Sequence, residues 1–364
     1  KAGSIYALPV YGVKTDVNGV HIRKDLVDEL NLPVDQIKEA ETFEEYLENM
    51  DLLTQMFQTI HEAHPELVLV PSSQNPSSFR VTEIPFTDTL GDDLGLLMDG
   101  DDQNIVNMYE SEEFKTLTEY MYQWNQDGFI LEDAMTTQEA ADTYLKNGRA
   151  FGYFETGSDE ATMEAKVQRT TGYEVVWKKL TKPFVTTNLV NNSAFGISTT
   201  SQHPEAAMKF LNEMYTNADV VNILDFGIEG VNWEEKNDGC IGYPDGVSAD
   251  NSTYDIGMTW YFGNTFLAKT WEGDVPVNVD EAIANNNSAR TSPALGFTYD
   301  STAVSTEIAA IGNVTSQYLP GLLCGFLNPD ETIPEFLDAL DSAGIGEVIA
   351  EKQTQYDSWL AENK

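Results

Sequence analysis

The sequence predicts an α/β protein built as two lobes. The chain has 364 residues, more than one ordinary core holds and suited to two lobes of typical domain size. Amphipathic helical stretches alternate with short apolar runs of strand length along the whole chain, which is the pattern of an α/β fold. No Pro- or Ser-rich linker separates two halves, so several passes of the chain are expected to join the lobes.

The elements follow in order. Residues 5–10 read as a strand ending at a turn, with Gly12 following. Residues 21–30 read as a short amphipathic helix. Thr42 and Glu45 form a capping box: the hydroxyl can hold an orphan amide while the carboxylate reaches back. The long helix after it should bury Tyr46, Leu53, Met56, Phe57 and Ile60. Residues 67–70 suit a short buried strand. Ser111 caps the next helix, where Phe114, Leu117, Met121 and Trp124 repeat at helical spacing before Gly128 ends it. Thr137 opens a further helix that Gly148 stops. Residues 150–154 form a strand running into a polar turn at 155–158, and strands follow at 174–177 and 192–198. Pro204 stands at the first position of a helix, where its missing amide costs nothing, with Ala207, Phe210, Leu211 and Met214 on the buried face. A helix over 219–225 ends at Gly227. Residues 233–297 are rich in Gly, Asn and aromatics and lack clear periodicity. Helices return over 305–318, 332–342 and 346–364.

Sixty Asp and Glu face twenty Lys and Arg, a formal net charge of −40. Such a surface repels phosphate backbones, so nucleic acid is excluded as a partner. It also argues against docking on anionic lipid through basic patches. The plain consequence of the charge is solubility. Cys240 and Cys324 are two buried thiols or one incidental bridge, because a metal site needs closer spacing. No run of eighteen apolar residues occurs, so no membrane span is expected.

Most signatures of chemistry are missing. The sequence has no G-x-S-x-G elbow and no phosphate-binding G-x-x-x-x-G-K-[ST] loop. Gly344-Ile-Gly346 lacks the third Gly of a dinucleotide fingerprint and joins two helices, so it reads as a helix stop. His61-Glu-Ala-His64 is one residue short of the zinc motif H-E-x-x-H and reads as a solvated helix end. The acidic run 99–104, with Glu110 at the twelfth position, resembles a calcium loop. Its sixth position is Asn104 rather than Gly and its fifth is Gln103, so a solvated turn is expected. No catalytic residue, metal ligand or cofactor is therefore expected.

The aromatic content points elsewhere. The chain has six Trp, sixteen Tyr and seventeen Phe, and periodicity does not explain all of them. Trp233 and the run Trp260-Tyr-Phe-Gly-Asn264 lie in irregular, Gly- and Asn-rich sequence. Aromatic faces stack on the C–H faces of sugar rings while amides and carboxylates hydrogen-bond hydroxyls. These residues therefore suit either a carbohydrate cleft or a core at a lobe interface.

The order of several motifs adds to this. Ile5-Tyr-Ala-Leu-Pro9 is followed by Ile22-Arg-Lys-Asp25, Thr42-Phe-Glu-Glu45, residues 122–128 and Lys146-Asn-Gly-Arg-Ala-Phe151. Next come residues 203–212, Phe226-Gly-Ile-Glu-Gly230, residues 260–264, Ser292-Pro-Ala-Leu-Gly-Phe297 and a last helix with Gln353 and Trp359. In that order the chain resembles the family 1 extracellular solute-binding proteins, in the sugar- and oligosaccharide-type lipoprotein branch serving ABC importers. The resemblance covers essentially the whole chain. It implies a type II, periplasmic-binding-protein-like fold of two α/β lobes that close by hinge motion around a cleft. Residues 5–12 would carry the chain from lobe one to lobe two, and residues 191–197 would carry it back. Lobe one would hold 1–12 and 190–256. Lobe two, with a C-terminal helical region, would hold 13–189 and 257–364. Family members begin with a further stretch, so the resemblance implies an incomplete lobe one and weak ligand binding without the rest.

The implied function is capture of a sugar or oligosaccharide in the cleft and its delivery to an ABC permease in the membrane. The implied protein is a monomer and not an enzyme. It would be extracellular, at the cell surface, and lipid-anchored in full-length form. Tyr11, just past Pro9, should face the cleft, and Glu155 should accept hydrogen bonds from hydroxyls. Trp260 and Trp233 are the stacking candidates, Asn264 their polar partner, and Glu229 a further candidate. The competing readings are a binder of a peptide or other non-sugar solute, and a glycosidase.

Overall fold

In the computed structural model the described residues are 5–15, 17–69, 84–97, 104–157, 160–236, 239–248, 251–254 and 259–363. The chain divides into two compact units. The first is Lys1–Thr15 with Asn188–Ala289, and the second is Asp16–Thr187 with Arg290–Lys364. The chain thus passes between units three times. The third passage follows residue 289, where the sequence reading had put the change near 257. Backbone pairing explains the difference. Tyr11 N–H donates to the Gly263 carbonyl at 2.7 Å and the Tyr11 carbonyl accepts from Thr265 N–H at 2.9 Å. Farther along, the Asn286 side chain accepts from Lys14 N–H at 2.8 Å and donates to the Gly12 carbonyl at 2.9 Å. These non-local bonds hold residues 259–289 to the first unit.

The second unit is organised by a three-stranded antiparallel sheet. The strand Val17–Arg23 lies between Gly152–Gly157 and Val175–Lys179. The helix Phe43–Ala63 packs on it. Its start is fixed as the capping box requires: Glu45 N–H donates to Thr42 Oγ1 at 3.2 Å. The Glu45 carboxylate reaches back to Glu41 N–H at 2.7 Å, one residue before the usual partner. Tyr46, Leu53, Met56, Phe57 and Ile60 are all buried. Phe57 lies at the centre, with the rings of Trp124 and Phe151 both at 5.0 Å, Phe129 at 6.1 Å and Phe154 at 6.3 Å. Trp124 and Phe129 belong to or follow the helix Glu112–Gln126, whose first turn is held by Ser111 Oγ accepting from Phe114 N–H at 3.1 Å. Gly128 ends it at φ 79°, in the left-handed region.

A second core in this unit joins Leu94, Leu96, Tyr109 and Phe114 to the three C-terminal helices Ser305–Leu323, Pro329–Ser342 and Ile345–Asn363. Gly344, at φ 91°, makes the stop between the last two helices.

The first unit is assembled around short strands. Leu8–Pro9 pairs antiparallel with Ala194–Phe195. The Tyr215 hydroxyl pins that pair by donating to the Leu8 and Pro9 carbonyls at 3.0 and 2.9 Å. The helices Pro204–Thr216 and Ala218–Phe226 follow, the first with Pro204 in its opening turn. Of the face expected to be buried, Leu211 and Met214 are buried, Ala207 is half-buried and Phe210 is exposed. The hairpin of Glu234–Glu235 with Ile241–Gly242 and the helix Val279–Ser288 complete the unit.

Three local expectations are corrected. Residues 21–23 are strand, and the helix is Lys24–Leu30. Val17, Val20 and Ile22 are buried on both faces of a central strand, so the alternation that marks half-buried strands is missing. Thr137 does not open a helix. Its hydroxyl accepts from Glu139 N–H at 3.2 Å and bonds the Tyr144 hydroxyl at 3.0 Å, and the helix is Ala141–Lys146. Glu155 lies within the strand Gly152–Gly157 rather than in a turn after it.

Removing the central ring of the larger core should cost what large-to-small core changes usually cost. Phe57→Ala is expected to lower unfolding free energy by about 3–5 kcal/mol, read as a shift of the denaturant midpoint. A shift of under about 1 kcal/mol would mean the surrounding rings close over the gap.

Candidate ligand-binding site

Two groups of candidate side chains exist, one in each unit. In the first unit, the backbone exchange between Tyr11 and residues 263–265 brings Tyr11 and Asn264 together. That exchange needs glycine at 263. Its φ is +47°, and a Cβ there would stand 2.0 Å from the Met214 carbonyl oxygen. The Tyr11 ring meets Phe266 edge-on at 5.3 Å and is 50% exposed. Three residues before Gly263, Trp260 is 53% exposed. A continuous aromatic row starts from it: Trp260 on Tyr261 at 5.6 Å, Tyr261 on Phe262 at 5.1 Å, and Phe262 on Phe195 at 6.1 Å. Phe195 and Phe262, with Phe210, Leu211, Met214 and Leu224, line an apolar cavity of about 350 Å³.

Asn264 has a structural task here. Its Oδ1 accepts from Phe266 N–H at 3.2 Å, and its Nδ2 donates to the Tyr215 carbonyl at 3.3 Å. Trp233 is buried with Phe226 and Ile241. Its indole N–H donates to the Gly227 carbonyl at 3.2 Å, and the Lys269 ammonium lies 5.4 Å from its ring. Glu229 is exposed, in the turn that brings Gly230 N–H to the Trp233 carbonyl at 2.7 Å.

In the second unit, Glu155 is the centre of a polar cluster. Lys166 Nζ donates to its Oε1 at 2.6 Å, and its Oε2 is 3.2 Å from His21 Nε2 and 3.4 Å from the Tyr153 hydroxyl. Burial pushes the carboxyl pKa up. The His21 hydrogen bond and the Lys166 charge outweigh it and hold the pKa at about 2. Burial pulls the His21 pKa down, against the opposing pull of Glu155. Neutral His21 therefore donates its Nε2–H to an ionised carboxylate. Glu155 is an acceptor of hydrogen bonds and not a proton donor.

Residues 99–103 of the acidic run lie outside the described residues. His64 sits 3.3 Å from Glu29 and 3.5 Å from Glu66, while the His61 ring packs 5.6 Å from Phe129. Among the described residues no group of three or more His, Cys, Asp or Glu could hold a metal ion. Nor, among the described residues, is any helix long and apolar enough to cross a membrane.

Two ionisable groups in the first unit gave no signal in the sequence. Lys14 Nζ donates to the Val190 carbonyl at 3.2 Å, and burial lowers its pKa. Asp225 occupies a buried position of the helix Ala218–Phe226. It is 1% exposed, its two oxygens have no hydrogen-bond partner among the described residues, and burial raises its pKa to about 7. The folded state thus binds a proton that the unfolded chain releases near its ordinary pKa of 3.8. That stabilisation is complete below the unfolded value and is lost as pH rises through the folded one. Between about pH 4 and pH 7 stability should fall by at most about 4 kcal/mol, at ~1.4 kcal/mol per pKa unit. Asp225→Asn should remove this slope in melting curves recorded across the range. A variant that keeps the full slope would place its origin elsewhere.

The comparisons with known proteins cover the whole chain. Residues 293–361 match a family described as a domain of unknown function, DUF3502. A carbohydrate ABC transporter substrate-binding protein of Streptococcus pneumoniae serotype 4 (strain ATCC BAA-334 / TIGR4) is 28% identical over 371 residues. That alignment spans 100% of this chain and 71% of the relative. Crystal structures of the N-glycan transport solute binding protein NgtS from Streptococcus pneumoniae align over 100% of this chain and 77% of theirs, at 25% identity. The TM-score is 0.81 for NgtS without a stated ligand and 0.77 for its complex with Man5GlcNAc. The chain is accordingly a homologue of the carbohydrate ABC transporter substrate-binding proteins and has the fold of the solute-binding proteins.

Proposed function

We propose that this chain is the substrate-binding component of an ABC importer, capturing a sugar or oligosaccharide outside the cell and delivering it to a membrane permease. The similarity, across the whole of this chain, to a carbohydrate ABC transporter substrate-binding protein and to an N-glycan transport solute binding protein in complex with Man5GlcNAc carries this reading. The exposed rings of Trp260 and Tyr11 support it: Tyr11 sits on backbone held by Gly263 and Thr265, and the Trp260 ring packs edge-on against Tyr261. A pre-placed aromatic face loses little entropy on binding and suits the C–H face of a pyranose. Trp260 and Tyr11 are the stacking residues of this reading. Glu155, ionised at any physiological pH, serves as a hydroxyl acceptor through lone pairs beyond those facing His21 and Lys166. Glu229 is an exposed carboxylate open to the same use. Trp233 and Asn264 act behind the surface, the first by packing and the second by capping the turn that follows Tyr11's partner strand. The protein acts as an extracellular monomer, lipid-anchored when full length.

The chain is a binder and not a glycosidase. Hydrolysis of a glycoside needs one carboxylic acid that keeps a proton and a second carboxylate opposite it. The candidate carboxylate Glu155, held at about pKa 2, keeps no such proton.

Isothermal titration with an oligomannose probe such as Man5GlcNAc, beside an unrelated peptide, tests the reading. The glycan should bind and the peptide should not, and no product should form on prolonged incubation with glycosides. Trp260→Ala should weaken binding about tenfold or more, since a stacked aromatic contributes on the order of 1–3 kcal/mol. Unchanged affinity with an intact fold would remove Trp260 from the site. Sustained turnover, or binding of the peptide alone, would overturn the function.

A further inference from the structure

The matched region 293–361 carries a lysine in a place where a helix normally buries an apolar side chain. The last helix, Ile345–Asn363, buries Ile345, Val348, Lys352 and Tyr356 along one stripe. Lys352 is fully buried. Its ammonium donates to the Asp92 carboxylate and, at 2.8 Å, to the Leu94 carbonyl oxygen. The face of the Tyr299 ring lies 4.8 Å away. An anion, a carbonyl oxygen and an aromatic face are the three kinds of group that bind a cation. Burial pulls the Lys352 pKa down, and the carboxylates of Asp92, Asp93 and Asp88 pull it back up. Asp93 accepts from the Tyr109 hydroxyl at 2.8 Å. Asp88 is 1% exposed, and its Oδ2 has no hydrogen-bond partner among the described residues.

The acidic side of this arrangement is a contorted piece of backbone. Phe86, Leu90 and Asp93 all have positive φ, at 60°, 50° and 58°. Left-handed conformations in residues with a Cβ are strained and persist only where the surroundings impose them. The strands Thr87–Asp88 and Leu94–Leu97 also approach closely, since a Cβ on Gly95 would stand 1.9 Å from the Asp88 carbonyl oxygen. Three carboxylates within this hairpin would repel one another without a positive charge among them.

We propose that residues 88–94, with the Tyr299 ring, form an internal cation site whose resident ion is the ammonium of Lys352, and that filling this site is what the matched region contributes to the fold. The last helix delivers the cation, and the hairpin adopts its left-handed turns around it. The inference is independent of the sugar-binding reading, because every residue in it belongs to the second unit's C-terminal core and none is a proposed ligand contact.

Chemical rescue in the full chain tests it. Lys352→Ala removes the four terminal heavy atoms of the side chain, which correspond to n-propylammonium. The variant should melt well below the parent. Added n-propylammonium should raise its melting temperature saturably and leave the parent unchanged, whereas tetramethylammonium at equal ionic strength should not rescue the variant. Lys352→Met fills the space without a charge, so it should melt low and resist rescue. If Lys352→Ala does not fold, a cycle of Lys352→Met, Asp92→Asn and the double variant decides. The double variant should be more stable than the summed losses of the two single changes allow, because each single change leaves the other member of the pair without its partner. A Lys352→Met protein as stable as the parent, no rescue beyond tetramethylammonium, or strictly additive losses would overturn the proposal.

Discussion

The strand Val17–Arg23 has a hydrogen-bonded neighbour on both edges, and most of what surrounds it follows from that. A strand paired on both sides cannot shift register without breaking two ladders at once. The register places His21 opposite Tyr153 and also opposite Trp177. Because side chains alternate, Tyr153 and Glu155 share a face of the neighbouring strand. His21, Tyr153 and Glu155 therefore converge without any loop to position them. Lys166, from the helix Glu160–Thr171, closes the cluster. Gly19 belongs to the same constraint, since a Cβ there would meet the Trp177 ring at 2.4 Å. The sheet is thus both the scaffold of the second unit and the reason its candidate carboxylate stays ionised.

What was legible in the sequence was local. Thr42, Ser111 and Pro204 announce helix starts because a cap acts within three residues of itself, and each stands where it was read. Gly128, Gly148, Gly227 and Gly344 announce stops for the same reason, and all four take positive φ. The strand at 21–23 was not legible, because burial on both faces erases its alternation. The membership of residues 259–289 was not legible either. It depends on amides of Tyr11, Gly263 and Thr265 and on the side chain of Asn286, and no pattern within 259–289 encodes partners some 250 residues away.

The candidate site divides along the same line. Tyr11 is expected to face a cleft and Trp260 to stack on a ligand or pack in a core; both side chains are exposed. Trp233 was read in the same way from its irregular, Gly-rich surroundings, yet it is buried. A periodic helix advertises its core positions, whereas a bend such as 227–233 hides them. Trp233 is drawn inward by the Gly227 carbonyl and by Lys269, thirty-six residues later in sequence. Asn264, expected as the polar partner of the stacking Trp side chains, lies beside Tyr11 with its amide engaged with backbone on both sides.

A net charge of −40 makes the position of each cation consequential. Exposed pairs such as Lys24 with Asp28 add little, because water and salt screen them. The cations that shape the structure are those buried or half-buried against it. Arg290 lies 5.5 Å from the Phe86 ring while its guanidinium donates to the Glu41 carbonyl at 3.4 Å. Phe86 is one of the left-handed residues of the hairpin, so a cation stands at its start as Lys352 stands at its end. Carboxylates then fall into two classes by environment. Where a cation and hydrogen bonds together outweigh burial they remain ionised, as Glu155 does next to Lys166 and His21, whereas at Asp93 burial outweighs the Tyr109 hydroxyl and Lys352 and raises the pKa. Where no cation reaches, as at Asp225, burial alone decides, and the group retains its proton up to about neutrality. In so acidic a chain, the fold is written less by its sixty carboxylates than by the few positive charges assigned to meet them indoors.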